Sequence, residues 1–161
     1  MAKIKLEGFE EYERALSRLT DRKEEIIGAC IYSGAKVVAD SVKSTIKGIP
    51  VVKGYGWPNN PLPGGVTAEQ KAGLIEGFGI SKARNDGGFR NVKLGFDGYN
   101  SVETERWPTG QPNAMIARAC ESGTSFKRKY PFMRQAVNGA KAAAVAAMKA
   151  KCDEMCAKEM K

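Results

Sequence analysis

Residues 113–158 read NAMIARACESGTSFKRKYPFMRQAVNGAKAAAVAAMKAKCDEMCAK, two helices and the joint between them. Asn113 can cap a short helix carrying Ala114, Met115, Ile116, Ala119 and Cys120. Glu121-Ser122-Gly123-Thr124 stops it, because glycine accepts the left-handed conformation in which helices commonly end. A basic loop from Ser125 to Tyr130 then leads to Pro131, whose fixed φ and missing N–H suit a first helical position. From there to near Lys158 the spacing predicts a long, alanine-rich, basic helix. Its inner stripe reads Met133, Val137, Ala140, Ala144, Met148, Cys152 and Met155.

Working outward, Gly98 to Pro112 is a Gly/Pro-containing connection that carries Tyr99 and Trp107. Before it, Gly79–Arg84 and Gly88–Asp97 predict two strands around Asn85-Asp86-Gly87-Gly88, since an Asp-Gly pair favours a hairpin. Val92, Leu94 and Phe96 share one face of the second strand and are expected to point to the core. Thr67 can cap a short helix to Gly77 with Ala68, Leu74, Ile75 and Phe78 inward. Asp21, with Glu24 three residues on, predicts the start of a longer helix. Its stripe is Ile27, Ile31, Gly34, Val38, Val42 and Thr45, and Gly48 and Pro50 end it. Ala29, Gly34, Ala35 and Ala39 are small enough for another element to come close. Near the start, Phe9, Tyr12, Leu16 and Leu19 form one helical stripe, and Ala2 to Glu7 alternate like a half-exposed strand. The fold expected is α+β: a small antiparallel sheet packed against a long helix, with a long C-terminal helix.

The 161 residues suit a single domain spanning 1–161, large enough to fold without disulfides or metal. Its one anomaly is an extended loop at about 48–66, GIPVVKGYGWPNNPLPGGV, rich in glycine and proline and holding Tyr55 and Trp57. A loop of that length is uncommon in a compact domain unless it works as a binding segment. Tyr55, Trp57 and Trp107 are therefore candidate interface residues, tryptophan being favoured at interface anchors.

Lys and Arg number 26 against 18 Asp and Glu, a net charge of +8. That excess fits a solvated basic surface, or contact with nucleic acid or an acidic partner. Only Lys127-Arg128-Lys129 forms a tight cluster, and these three are the candidate DNA-facing residues. Flanked by Phe126 and Tyr130, they could neutralise phosphates while the rings stack on bases; otherwise the segment is a solvated loop whose aromatics plug the core. The N-terminal residues lack the apolar core of a secretory signal, and no run is long and apolar enough to span a bilayer. A protein made in the cytoplasm, without a membrane partner, is expected. There Cys30, Cys120, Cys152 and Cys156 should be reduced thiols, serving packing or an interface.

Chemistry is harder to place. With no histidine in the chain there is no Ser-His or Cys-His pair, and Cys152 and Cys156 have no further ligands in sequence for a zinc site. Gly77-Phe78-Gly79 lacks the third glycine of a dinucleotide loop, and no Gly-Lys-Ser/Thr follows a strand. Adjacent acids such as Asp153-Glu154 do not face one another on a helix. No catalytic, cofactor-binding or metal-ligating residue is assigned, no cofactor is expected, and a non-enzymatic role is.

Three segments, taken in order, resemble one family: the tail-completion or head–tail joining proteins of long-tailed bacteriophages. The first is Ile4-Lys5-Leu6-Glu7-Gly8-Phe9-Glu10-Glu11-Tyr12, and the second is the long helix with Ala35-Lys36-Val37-Val38-Ala39. The third and most specific is the Glu-x-Gly-Thr before a Pro-Phe-hydrophobic-Arg-x-Ala helix start. Glu121, Gly123, Thr124, Pro131, Phe132, Arg134 and Ala136 match it. Ala72-Gly73-Leu74 only approximates the family's Gly-x-Leu segment, which leaves the pairing of the central strands open. The resemblance implies a structural protein of the phage neck that acts by protein–protein assembly as a homo-oligomeric ring, a hexamer being one candidate size. Its implied partners are copies of itself, the head connector, and tail terminator or tail-tube proteins. Phage DNA would pass nearby. Its implied place is the virion, after assembly in the host cytoplasm. The matching residues then determine the fold, not chemistry. The competing expectation is a basic nucleic-acid-binding protein.

Overall fold

A computed structural model describes residues 9–54 and 56–160. The strand expected in Ala2–Glu7 and the candidate Tyr55 lie outside the described residues. The elements are helices α1 (Phe9–Asp21), α2 (Lys23–Gly48) and α3 (Ala68–Gly77), strands β1 (Phe78–Ile80), β2 (Arg84–Asp86), β3 (Phe89–Asn91) and β4 (Leu94–Phe96), and helices α4 (Asn113–Ser122) and α5 (Phe132–Glu159). The class is α+β, as the periodicities indicate.

The body is an antiparallel pair of long helices, α2 and α5. Small residues let them approach: a Cβ at Gly34 would collide with the Met148 side chain and crowd the Ala144 carbonyl. Ala35, Ala39 and Val42 of α2 and Ala136, Ala140 and Ala144 of α5 are buried. The hydroxyl of Ser41 donates to the Ala136 carbonyl at 3.1 Å. At the far end the Arg22 guanidinium pairs with the buried Glu159 carboxylate, and Arg18 donates to the Glu159 carbonyl at 3.0 Å.

Most of each expected stripe is in place, with Gly34 and Val42 of α2 and Ala140 and Ala144 of α5 buried, but each is off at one end. On α2 it is Ile26 and Ile46 that are buried, while Ile27 is exposed. On α5 Val137 faces out and Phe132 faces in. Each helix packs its small residues against its neighbour, so a count of bulky residues places the stripe slightly off. Asp21 ends α1 and does not cap α2. Residue Arg22 holds that place without a side-chain cap, its guanidinium bonded to Glu25 and Glu159. Helix α1 is also turned: Ala15 is buried, whereas Phe9 (59%), Tyr12 and Leu16 are exposed.

The predicted hairpin divides into two short antiparallel pairs. β2 and β3 join through Gly87 and Gly88, both at positive φ, with Asp86 opposite Phe89. β1 pairs with β4 in the register Phe78–Phe96, Gly79–Gly95 and Ile80–Leu94. Phe78 meets Phe96 in a tilted contact at 5.0 Å between centroids, and Phe96 and Phe132 meet edge to face at 6.1 Å. Through this aromatic chain the β1–β4 pair sits on the helical core with Val42, Ile46, Leu74 and Ile116. Leu94 and Phe96 pack against that core as expected. Arg90 of β3 ties the outer pair to α2, its guanidinium 2.7 Å from Glu24.

Thr67 caps α3 in a full capping box with Gln70. Leu74 and Phe78 are buried there, but Ala68 and Ile75 are exposed. Asn113 does not act as a cap. It is buried as the first residue of α4, and its amide donates to the Asp97 carbonyl at 2.9 Å, fixing α4 to the end of β4.

Candidate functional site

The segment from Glu121 to Ala136 is a helix joint. Gly123, at φ 77°, ends α4 and donates its N–H to the Ala119 carbonyl at 2.9 Å. Pro131 precedes α5 and has no side chain to cap it, so the first N–H groups need an outside acceptor. Glu121 supplies it, its carboxylate accepting from Met133 N–H at 2.9 Å and Arg134 N–H at 3.1 Å. An acid there also complements the positive end of the helix dipole. Phe132 plugs the core at 0% exposure, and Ala136 lies in the α2 contact. The remaining matched side chains, Thr124 and Arg134, are exposed. The sequence places Glu121 in the stop of α4, and its role as acceptor for the start of α5 is the new feature. The signal was a helix opening on Pro-Phe without a Ser, Thr, Asp or Asn to cap it.

Between these helices the chain makes a four-residue turn, Thr124 to Lys127, closed by reciprocal backbone bonds: Thr124 N–H to Lys127 carbonyl at 2.8 Å and the reverse at 3.3 Å. The same closure recurs at Trp57 to Asn60 (3.2 and 2.9 Å) and at Thr104 to Trp107 (3.0 and 2.9 Å). Each of the three turns carries an aromatic: Trp57, Trp107 and Phe126. They come from the three segments of the chain with the least regular structure.

The long loop is joined to the basic loop by backbone bonds on both sides of Leu62. Leu62 N–H donates to Phe126 carbonyl at 3.0 Å, and Arg128 N–H donates to Leu62 carbonyl at 2.8 Å. Close approach requires glycine, since a Cβ at Gly56 would strike the Phe126 carbonyl and one at Gly64 would lie 2.7 Å from the Lys129 carbonyl. At its base the loop closes through Val52 N–H to Val66 carbonyl (2.9 Å) and Val66 N–H to Pro50 carbonyl (3.0 Å). The loop is therefore bound along its length, not a free arm.

The three turns border an open cleft of about 770 Å³, walled by Trp57, Leu62, Val102, Thr104, Phe126 and Lys127. Gln70 of α3 and Gln111 bond across its floor at 2.7 Å. Trp57 is 70% exposed and Phe126 52% exposed, so the rings stand in solvent around the mouth. Trp107 is half-buried, with the Arg106 guanidinium carbon 5.9 Å from its ring centroid.

The basic cluster does not act as one patch. Arg128 and Lys129 are exposed, but Lys127 is half-buried. Burial pushes the Lys127 ammonium below its usual range, opposed by the neighbouring Cys120. Burial likewise pushes the Cys120 thiol up to about 11, and a thiol held neutral is a poor nucleophile. Its S–H points to the Tyr130 carbonyl at 3.8 Å, and the ring of Tyr130 packs against the core. Of the two aromatics flanking the basic run, then, Tyr130 plugs the core and Phe126 does not.

Among the described residues no group of three or more His, Cys, Asp or Glu side chains could hold a metal ion, and no helix is long and apolar enough to cross a membrane. Comparison of the chain with protein-family models, with curated proteins and with solved structures finds no match.

Proposed function

We propose that this chain is a structural protein of a bacteriophage neck, completing or joining the tail at the head–tail interface by assembling with copies of itself and with neighbouring rings. The observation that carries the reading is the cleft rimmed by three aromatic-bearing turns. Backbone bonds hold the rim in place while Trp57 and Phe126 remain exposed. Fixed, solvent-exposed aromatics give contact area without a large ordering cost, which suits a protein-binding surface. The partly exposed Phe9–Tyr12–Leu16 face of α1 supports the same reading, because self-assembling subunits need a second apolar surface. The residues that carry the family resemblance work as a helix joint, as expected of a scaffold. On this reading the partners are the head connector and tail terminator or tail-tube proteins, and the mature location is the virion.

Electron microscopy of particles made after deletion of the gene tests this. Separate DNA-filled heads and finished tails are the expected products. Normal infectious particles would overturn the joining role. One observation favours a second reading, nucleic-acid binding: Phe126 is exposed one turn from Arg128 and Lys129. That reading requires DNA affinity that falls steeply with salt and is lost in an Arg128→Ala/Lys129→Ala double variant.

A further inference from the structure

Helices α2 and α5 pair in a constant antiparallel register. Gly34 lies against Met148, the Ser33 hydroxyl donates to the Ala147 carbonyl at 3.4 Å, and Arg22 meets Glu159. One helical turn before Gly34 is Cys30, and one turn beyond Met148 is Cys152. Contacts on both sides thus bracket the two cysteines and set them opposite each other across the helix pair. Cys156 follows one turn further along α5. All three thiols are half-buried, so small reagents can reach them.

The titration of these groups agrees with that placement. The Cys30 thiol is pushed up first by burial, then by a hydrogen bond with Cys152 and by the charges Cys152 and Cys156 would carry. Burial and a hydrogen bond with Cys152 raise Cys156 as well. Cys152 is therefore the thiol shared by the other two. The trio does not converge on a metal ion, which leaves sulfur chemistry.

We propose that Cys30 and Cys152 are a thiol modification site, at which a disulfide cross-links α2 to α5. Helical geometry chooses this pair over Cys152–Cys156. Side chains four apart on one helix have Cβ atoms about 5–6 Å apart, whereas a disulfide needs about 3.5–4.5 Å. Across the pair, Gly34 brings the two backbones together one turn away. The oxidant is a low-molecular-weight disulfide. One protein thiolate attacks it, forming a mixed disulfide and releasing one small thiolate. The other protein thiolate attacks the protein sulfur of that mixed disulfide and releases the second. The two protons from Cys30 and Cys152 end on the two released thiolates, and two electrons pass to the small disulfide. Cys120, almost fully buried at the far side of the core, takes no part. This site is independent of the assembly role proposed above.

The unaltered chain is incubated with oxidised glutathione, digested without reductant and mapped by mass spectrometry. The expected product is a monomer lacking two hydrogens, with the Cys30 and Cys152 peptides joined and Cys120 free. Closing so long a loop should raise Tm by roughly 10 °C, reversed by dithiothreitol. A Cys152–Cys156 link, a cross-linked dimer, or glutathione adducts alone would each overturn the proposal.

Discussion

Along α2 and α5 side chains hold the molecule together, whereas around Trp57, Thr104 and Thr124 the backbone does. In the body, Gly34 and the buried alanines fit two helices closely and the helices satisfy their own backbone. At the loop end few side chains are buried, and order comes from reciprocal turn bonds and the pairing of Leu62 with Phe126 and Arg128. The body gains stability from apolar area removed from water. The loop end mainly avoids the cost of unsatisfied peptide groups, which leaves its aromatics free for other contacts.

If that division is right, the largest loss follows from emptying the body. Phe132 is fully buried where α5 meets the β1–β4 pair, with Phe96 packed edge to face against it. Phe132→Ala should destabilise the fold by about 4 kcal/mol, the transfer and cavity cost of a large aromatic. Urea unfolding followed by circular dichroism measures it. A loss under about 1 kcal/mol would mean that the core is not built around this ring.

How much of this was legible in the sequence depends on which force acts. The long helices, the end of α2 at Gly48 and of α4 at Gly123, the Thr67 cap and the glycine turn of the hairpin were readable, because each is set by residues within a few positions. The end of each α2 and α5 stripe, at Ile26 in place of Ile27 and Ala136 in place of Val137, was not, since alanine and glycine carry little hydropathy signal yet decide the packing. Nor was the attachment of residues 48–66 to residues 124–130. Backbone bonds between distant segments leave no side-chain pattern, and only the glycines at 56 and 64 mark the close approach. The same limit applied to the candidates. Trp57 and Phe126 came together at one cleft, which the Trp107 turn borders only through Thr104, while Lys127 separated from Arg128 and Lys129 by turning inward.

The seam between the two regions has its own signature in pH. Cys120 titrates at an ordinary 9.0 when unfolded and near 11 when folded. Its folded value is raised, so its contribution is fully present below pH 9 and is lost as pH rises through 11. Over that window the unfolded chain binds fewer protons than the folded one, and stability must fall. Cys120→Ala removes this component, so the stability gap between wild type and variant should narrow by about 2 kcal/mol from pH 8.5 to pH 11. Titration of the lysines other than Lys127, which Cys120 itself perturbs, is common to both proteins and cancels in the difference. An unchanged gap would place the thiol in contact with water. At the same seam Glu121→Ala removes the acceptor of two α5 N–H groups. It should cost about 1 kcal/mol, the usual worth of a helix cap. Native-state hydrogen exchange should lose protection at Met133 and Arg134 before the middle of α5. Uniform loss along the helix would show that the cap governs the whole body and not its end.

The smallest effect on stability is expected on the rim of the cleft. Trp57 is 70% exposed, and its place in the turn depends on its backbone groups, not its ring. Trp57→Ala should therefore change unfolding free energy by less than about 0.5 kcal/mol, as for surface substitutions that leave no cavity. Trp107, half-buried under Arg106, stays as the fluorescent reporter of the fold. If the same variant purifies as a stable monomer but no longer enters assembled particles, the ring of Trp57 serves binding and not folding. Should it instead lower the midpoint of unfolding by several degrees, the loop end is held by its aromatics after all, and the contrast between backbone-built and side-chain-built regions fails at its clearest point.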